Sequence, residues 1–153
     1  MNILLDTTYL MPAIGIAVKG VRHDALKTLQ EKGHTTSISE LTLFELSAKG
    51  AKHIALGQLS QERVLRGIQA AARDESLNKV LYYGHEQLVV SFRLRKLVAD
   101  YLDCAILSSA LCGCDALMTE DGIIRALATK EEYRGIIDEM NPEFKLLSHR
   151  DLE

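Results

Sequence analysis

The sequence predicts an α/β fold built on a mainly parallel sheet. Short apolar runs alternate along the chain with longer segments of helical periodicity, which is the order expected of successive strand–helix units. Apolar residues make up 47% of the 153 residues and tryptophan is absent, so the core is expected to consist mainly of Leu, Ile, Val and Ala. No repeat or linker interrupts this order, and the length predicts a single domain over residues 1–153.

Five short segments are predicted to be strands. The first is an apolar run that ends at Asp6, and the second is rich in β-branched residues. In chain order they are Asn2–Leu5, Thr35–Ile38, Val80–Tyr83, Asp115–Thr119 and Phe144–Leu147. Ligands of open parallel sheets bind beyond the carboxyl ends of the strands, so the residues that follow these segments are candidates for a site.

The segments between the strands predict helices. Asp103–Cys112 carries apolar or small side chains on nearly every face, which predicts a buried helix. Thr7–Val18 is a weaker helix prediction because it contains Gly15, and the polar stretch Lys130–Glu143 fits a loop or a frayed helix. The other predicted helices are His23–Lys32, Ser39 or Glu40 to about Lys52, Ser60 to about Arg73, His85–Val98, and a short one that follows the Asp121–Gly122 turn and runs to about Ala128.

Charge and cysteine content narrow the function classes. The net charge of −3 gives no electrostatic basis for broad binding of nucleic acid, although a carboxylate-rich site offset by metal ions remains compatible with a nuclease. Three cysteines cannot all pair within one chain, which favours a reducing compartment. No apolar run approaches the roughly 20 residues of a membrane span, and no signal peptide is recognisable, so we expect a cytoplasmic protein without membrane contact.

Four acidic residues are placed to meet at the carboxyl edge of the predicted sheet. Asp6 follows the first strand directly, and Asp121 follows the fourth strand by two residues. Glu45 lies near the second turn of the helix after the second strand, and Asp103 opens the buried helix. Because the carboxyl ends of parallel strands share one edge, these four side chains are expected to converge.

Each of these residues also has a structural interpretation. Asp6 and Asp103 fit helix N-caps, and Asp121 with Gly122 fits a turn. Glu45 lies on a stripe that is expected to face the core. That stripe consists of Leu41, Phe44, Glu45 and Ala48.

The expected convergence of these four carboxylates favours a metal site. Two carboxylates about 4 Å apart repel by roughly 4 kcal/mol at an effective dielectric constant near 20, so a partly buried cluster requires protons or cations. No Lys or Arg lies within five residues of Asp6 or Asp103. Oxygen ligands without His or Cys favour Mg²⁺ or Mn²⁺ over zinc, and these ions suit phosphodiester hydrolysis. The hydroxyls of Thr7 and Thr119 either orient the ligands or cap strand ends.

These residues lie in four blocks that resemble those of the PIN-domain family. Leu4–Thr8 resembles the opening block, an apolar strand followed by Asp and then Ser or Thr. Ser39–Leu46 is similar to the second block, in which a helix carries a Glu before an apolar residue. Asp103–Ala110 and Asp115–Asp121 resemble the third and fourth blocks, and all four appear in family order.

The resemblance implies a three-layer α/β/α sandwich and a metal-dependent endoribonuclease whose Mg²⁺ or Mn²⁺ ligands are Asp6, Glu45, Asp103 and Asp121. It further implies a VapC-like toxin that cuts RNA, forms a homodimer and is held inactive by a small antitoxin protein. The alternative is a catalytically degenerate PIN fold that acts only through a protein partner. Glu120, beside Asp121, and Asp100, one turn before Asp103, stay open as alternative or additional ligands.

Overall fold

Five parallel strands form the centre of the molecule in a computed structural model that describes residues 1–152. The strands are β1 (Asn2–Leu5), β2 (Thr35–Ser39), β3 (Leu77–Val80), β4 (Ala116–Met118) and β5 (Lys145–Leu147). Their order across the sheet is β3-β2-β1-β4-β5, with Leu4 opposite Ser37 of β2 and Leu5 opposite Met118 of β4. The predicted α/β class and parallel sheet are therefore confirmed.

Helices pack on both faces of the sheet. They are α1 (Ala25–Glu31), α2 (Glu40–Ala55), α3 (Gln61–Arg73), α4 (His85–Leu94), α5 (Tyr101–Gly113), α6 (Gly122–Ala126) and α7 (Glu131–Met140). Short 3₁₀ turns cover Thr7–Tyr9, Met11–Ile14, Leu127–Thr129 and His149–Leu152. Within residues 1–152, no helix is long and apolar enough to cross a membrane.

Successive side chains of β1 point to opposite faces of the sheet and belong to two separate buried clusters. Ile3 and Leu5 pack with apolar residues of α1, α2 and α3, whereas Leu4 packs with those of α4, α5, α6 and α7. All three side chains are fully buried. Because successive residues of a strand face opposite sides, this arrangement produces three layers, helices on each side of the sheet.

The strand order places a crevice at the carboxyl end of β1. After β1, the chain forms β2 and then β3 on one side of this strand. It then crosses back and forms β4 and β5 on the other side of β1. A reversal of this kind leaves a gap between the connections that leave adjacent strands, which is where open α/β sheets bind ligands. Asp6 follows β1 at this point, and the loop Thr119–Asp121 follows β4.

Three elements differ from the sequence prediction. The third strand lies three residues earlier than Val80–Tyr83, since Leu77 is buried and pairs with β2. Lys130–Glu143 contains the regular helix α7, whose Tyr133, Ile136 and Ile137 are buried. Thr7–Val18 forms two 3₁₀ turns instead of one helix, and Gly15 ends the second with a left-handed φ of 93°. The predicted single domain extends to Glu153, which lies outside the described residues.

Candidate metal centre

The four predicted carboxylates line one open cavity of about 570 Å³ at the carboxyl edge of the sheet. They come from four places in the chain: the end of β1, the middle of α2, the first turn of α5 and the cap of α6. Six carboxylates and two lysines line the cavity: Asp6, Glu45, Asp100, Asp103, Glu120, Asp121, Lys49 and Lys52. The convergence expected from the sequence is therefore observed, and the cavity has a large excess of negative charge.

Asp6 is held in place by two hydrogen bonds. Its Oδ1 accepts from the backbone N–H of Thr7 at 2.8 Å, so it caps the first 3₁₀ turn, and its Oδ2 accepts from Thr119 Oγ1 at 2.7 Å. Burial raises the pKa of Asp6, and the negative charge of Asp121 raises it further, although the two hydrogen bonds oppose this change. The cap interpretation is confirmed for Asp6, and each oxygen keeps a second lone pair for another ligand.

Glu45 reaches the cavity from the flank of α2. The buried residues of this helix are Thr42, Leu46 and Gly50, whereas Phe44 is 68% exposed. The predicted inward stripe was therefore wrong, because the buried positions of α2 come one residue after Leu41 and Glu45 of that stripe. Burial raises the pKa of Glu45 and so does Asp6, while Lys49, whose Nζ lies 3.9 Å from Oε1, lowers it.

Asp103 lies in the first turn of α5 and is not its cap. Asp100 is the N-cap, because its Oδ1 accepts from the backbone N–H of Leu102 at 2.9 Å. Burial raises the pKa of Asp103 to about 7, and the negative charges of Asp100, Asp121, Asp6 and Glu45 contribute to this rise. All four of these neighbouring carboxylates therefore raise the pKa of Asp103.

Asp121 caps the short helix α6. Its Oδ1 accepts from the backbone N–H groups of Ile123 at 2.7 Å and Ile124 at 3.0 Å. The turn interpretation is thereby refined to an N-cap, and Asp121 also lines the cavity. Asp115, in contrast, accepts from the backbone N–H of Asn2 at 2.6 Å and heads β4, at the opposite end of the strands.

Thr119 links two of the four carboxylates. Its fully buried hydroxyl donates to Asp6 and accepts from the backbone N–H of Asp121 at 3.1 Å. We expect Thr119→Val to lower divalent-cation affinity by about 10–100-fold, the usual effect of losing a group that orients a metal ligand. Thr119→Ser keeps the hydroxyl and serves as the matched control in a Mn²⁺ titration; equal losses in both variants would contradict the orienting role.

Glu120 connects the cavity rim to the C-terminal segment. Its Oε1 accepts from Tyr9 Oη and from the backbone N–H of His149 at 2.7 Å, and its Oε2 lies 3.0 Å from His149 Nδ1. Burial tends to raise the pKa of Glu120, but the hydrogen bonds from Tyr9 and His149 outweigh it and the pKa is lowered. Both oxygens are therefore engaged in a clasp, which leaves Asp121 as the better placed ligand.

This clasp makes a testable distinction between Glu120 and the four candidate ligands. Glu120→Gln removes the charge-assisted bonds, and we expect the free energy of unfolding to fall by about 1–3 kcal/mol. Mn²⁺ affinity is expected to change by less than about threefold, the equivalent of roughly 0.6 kcal/mol. Denaturant unfolding and a Mn²⁺ titration measure the two effects, and a large loss of affinity with unchanged stability would make Glu120 a ligand.

The donor set fits a hydrated divalent cation. Within residues 1–152, no three acidic, His or Cys side chains lie close enough together to enclose an ion. Mg²⁺ retains several waters and needs only one or two direct carboxylates, so an open acidic cavity suits it better than a tight cage. The buried Thr7 hydroxyl faces Glu45 without a regular hydrogen bond, which leaves a polar atom beside the carboxylates for such a ligand.

Two features of the cavity were not assigned to it from the sequence. The first is a pair of lysines, Lys49 and Lys52, which both line the cavity. Their spacing from Glu45, four and seven residues along one helix, was the available signal. The second is the pairing of Glu120, which lines the cavity, with His149, whose side chain is 26% exposed. No local pattern in the sequence indicates this contact.

Comparisons with known proteins identify the fold. No protein-family model and no curated protein sequence matches this chain. A chain in the crystal structure of VapBC2 from Rickettsia felis, bound to a DNA fragment from their promoter, is similar with a TM-score of 0.61. The sequences are 19% identical, and the match covers 97% of this chain and 98% of that chain. The three-layer PIN-like fold expected from the sequence motifs is therefore the fold of this protein.

Proposed function

We propose that this protein is an endoribonuclease that depends on Mg²⁺ or Mn²⁺, with Asp6, Glu45, Asp103 and Asp121 as the metal ligands. The observation that carries the proposal is that these carboxylates, from four separate elements, line one cavity. Burial and mutual repulsion raise the pKa values of Asp6, Glu45 and Asp103, so Lys49 and the local hydrogen bonds offset their charge only in part. A divalent cation would supply the remaining offset.

The chemistry follows from the type of ligand. When bound, a divalent cation acts as a Lewis acid that activates water and stabilises charge on the leaving oxygen of a phosphodiester. The carboxylates serve as ligands and not as covalent nucleophiles. Thr119 fixes the orientation of Asp6, and the caps at Asp6 and Asp121 fix both side chains relative to the strand ends. The sheet edge thus positions the proposed ligands, and the cavity that they line is open to solvent.

A cleavage assay tests this proposal. We expect internal cuts in an end-labelled single-stranded RNA in the presence of Mg²⁺ or Mn²⁺, and none when EDTA is present. A DNA strand of the same sequence serves as the comparison substrate. Cleavage that persists in EDTA would contradict the metal mechanism, whereas Mn²⁺ binding without cleavage of any RNA would favour a degenerate PIN fold that acts only through a partner.

We extend the proposal to the toxin half of a toxin–antitoxin pair with a small protein partner and a second copy of the chain. The fold shared with a VapBC2 chain supports this extension. Exposed apolar side chains support a protein interface: Phe44, Phe92 and Tyr101 are 68%, 58% and 40% exposed, and the last two stack. A small DNA-binding open reading frame directly upstream of the gene, and a complex on co-expression, are the expected results.

A further inference from the structure

The two lysines of the cavity lie on the same face of α2 as Glu45. Residues four and seven positions apart follow one another along one side of a helix, which describes Glu45, Lys49 and Lys52. Lys49 Nζ lies 3.9 Å from Glu45 Oε1, and its side chain is 42% exposed. Lys52 is exposed and makes no side-chain hydrogen bond or ion pair within residues 1–152. The α2 wall is thus the cationic side of an otherwise acidic cavity.

Neither lysine has a structural role of the kind that other cations of this chain perform. Lys79 Nζ donates to the backbone oxygens of Asp74 at 2.6 Å and Leu77 at 2.8 Å, which fixes the start of β3. The Lys49 pair, in contrast, is long and partly solvated, and exposed pairs of this kind stabilise a helix only slightly. Both ammonium groups are therefore available to a ligand in the cavity.

We propose that Lys49 and Lys52 bind backbone phosphates of the RNA on the α2 side of the scissile bond. This inference rests on the proposed ribonuclease function and deepens it, because it assigns the bound RNA backbone to the α2 side of the cavity. Lys49 is the nearer of the two to the carboxylates, and Lys52 lies about 4.5 Å further along the helix axis at a rise of 1.5 Å per residue. The two therefore reach successive positions along one strand.

The charge balance explains why these contacts depend on the cation. Without a cation, Lys49 faces Glu45 and also lowers the pKa of Asp6, so its charge is partly offset by the cluster. A cation held by Glu45 would weaken the attraction of this carboxylate for Lys49 and would leave the ammonium group free to bind a phosphate. RNA is expected to bind more tightly in the presence of the cation, and Lys49→Met is expected to leave Mn²⁺ affinity unchanged or slightly higher.

Salt-dependent RNA binding tests the inference separately from cleavage. The lysine variants are made in an Asp103→Asn background, in which RNA is expected to stay intact. Binding of a fluorescent single-stranded RNA is followed by anisotropy at a Mg²⁺ concentration high enough to saturate the weakened cation site of this background. Each of Lys49→Met and Lys52→Met should weaken binding by about three- to tenfold and reduce the slope of log affinity against log salt by about 0.7. Lys49→Arg should retain the slope, because it keeps the charge.

Lys27→Met is the matched control. Lys27 is also a helical lysine in an i,i+4 pair, with Nζ 3.6 Å from Glu31 Oε1, but it lies outside the cavity. The inference would be overturned if Lys49→Met and Lys52→Met had the same RNA affinity and salt slope as Lys27→Met. It would also be overturned if the background protein bound no RNA at any salt concentration. A lysine-dependent slope in a protein whose wild-type form cuts no RNA would support the contacts and count against the nuclease activity.

Discussion

Asp6→Asn is expected to reduce metal-dependent RNA cleavage by more than about 100-fold, since even groups that only orient a ligand change activity by 10–100-fold. Asp6 lies at the end of the central strand, and its carboxylate is the one that Thr119 and the first 3₁₀ turn hold in a fixed direction. Asparagine keeps the size and an acceptor oxygen but removes the negative charge that attracts a cation. The loss is measured as the single-turnover rate at saturating Mn²⁺.

Asp138→Asn provides the control for Asp6→Asn. Asp138 is an exposed carboxylate of α7 outside the cavity, so its replacement changes the net charge equally. We expect it to cleave at the wild-type rate, and both variants to give the wild-type circular dichroism spectrum. An Asp6→Asn protein that retains full metal-dependent cleavage would show that the ligands have been assigned wrongly.

Asp103→Asn is expected to stabilise the metal-free protein. The pKa of Asp103 is raised from 3.8 to about 7 in the folded state, chiefly by burial and then by the neighbouring carboxylates. Between these two values the folded state holds a proton that the unfolded state has lost, so the free energy of unfolding falls as pH rises. The full difference is worth about 4 kcal/mol, which solvent screening of this half-buried group reduces to about 1–2 kcal/mol.

Thermal unfolding in EDTA at several pH values measures this effect. At pH 8 we expect Asp103→Asn to raise Tm by about 2–8 °C, and near pH 4 the difference should disappear. Adding Mn²⁺ should reverse the order: a concentration of 100 times Kd stabilises the wild-type protein by about 2.7 kcal/mol, whereas the variant gains much less. An Asp103→Asn protein that is less stable than wild type at pH 8 in EDTA would contradict the proposed repulsion.

The fold could be predicted wherever the local pattern and the buried face agreed. The apolar run before Asp6 became β1, and the small and apolar residues after Asp103 became the buried helix α5. The third strand was placed three residues late because Tyr82 and Tyr83 have high β-propensity, whereas the sheet selects the segment that begins at buried Leu77. In α7, buried Tyr133 and its neighbours outweigh a polar composition, since packing stabilises a helix more than propensity does.

The candidate site was predictable because topology, not local sequence, brings its residues together. A parallel sheet places Asp6 and Asp121 at the same edge, and they are close because the strands that they follow, β1 and β4, are neighbours. The orientation of Glu45 was less predictable, because a difference of one residue in the buried face of α2 turns an inward side chain into a flanking one. The clasp between Glu120 and His149 joins residues 29 positions apart, and no periodicity in the sequence encodes such a contact.

The most direct test of the proposed metal centre is the binding of Mn²⁺ to the RNA-free protein, measured by titration calorimetry at pH 8. The wild-type protein and Asp138→Asn are predicted to bind Mn²⁺ saturably with the same affinity. Asp6→Asn and Asp103→Asn are predicted to bind it at least about tenfold more weakly, a loss of about 1.4 kcal/mol or more. Equal affinity in all four proteins would contradict the proposal that these carboxylates form a metal centre.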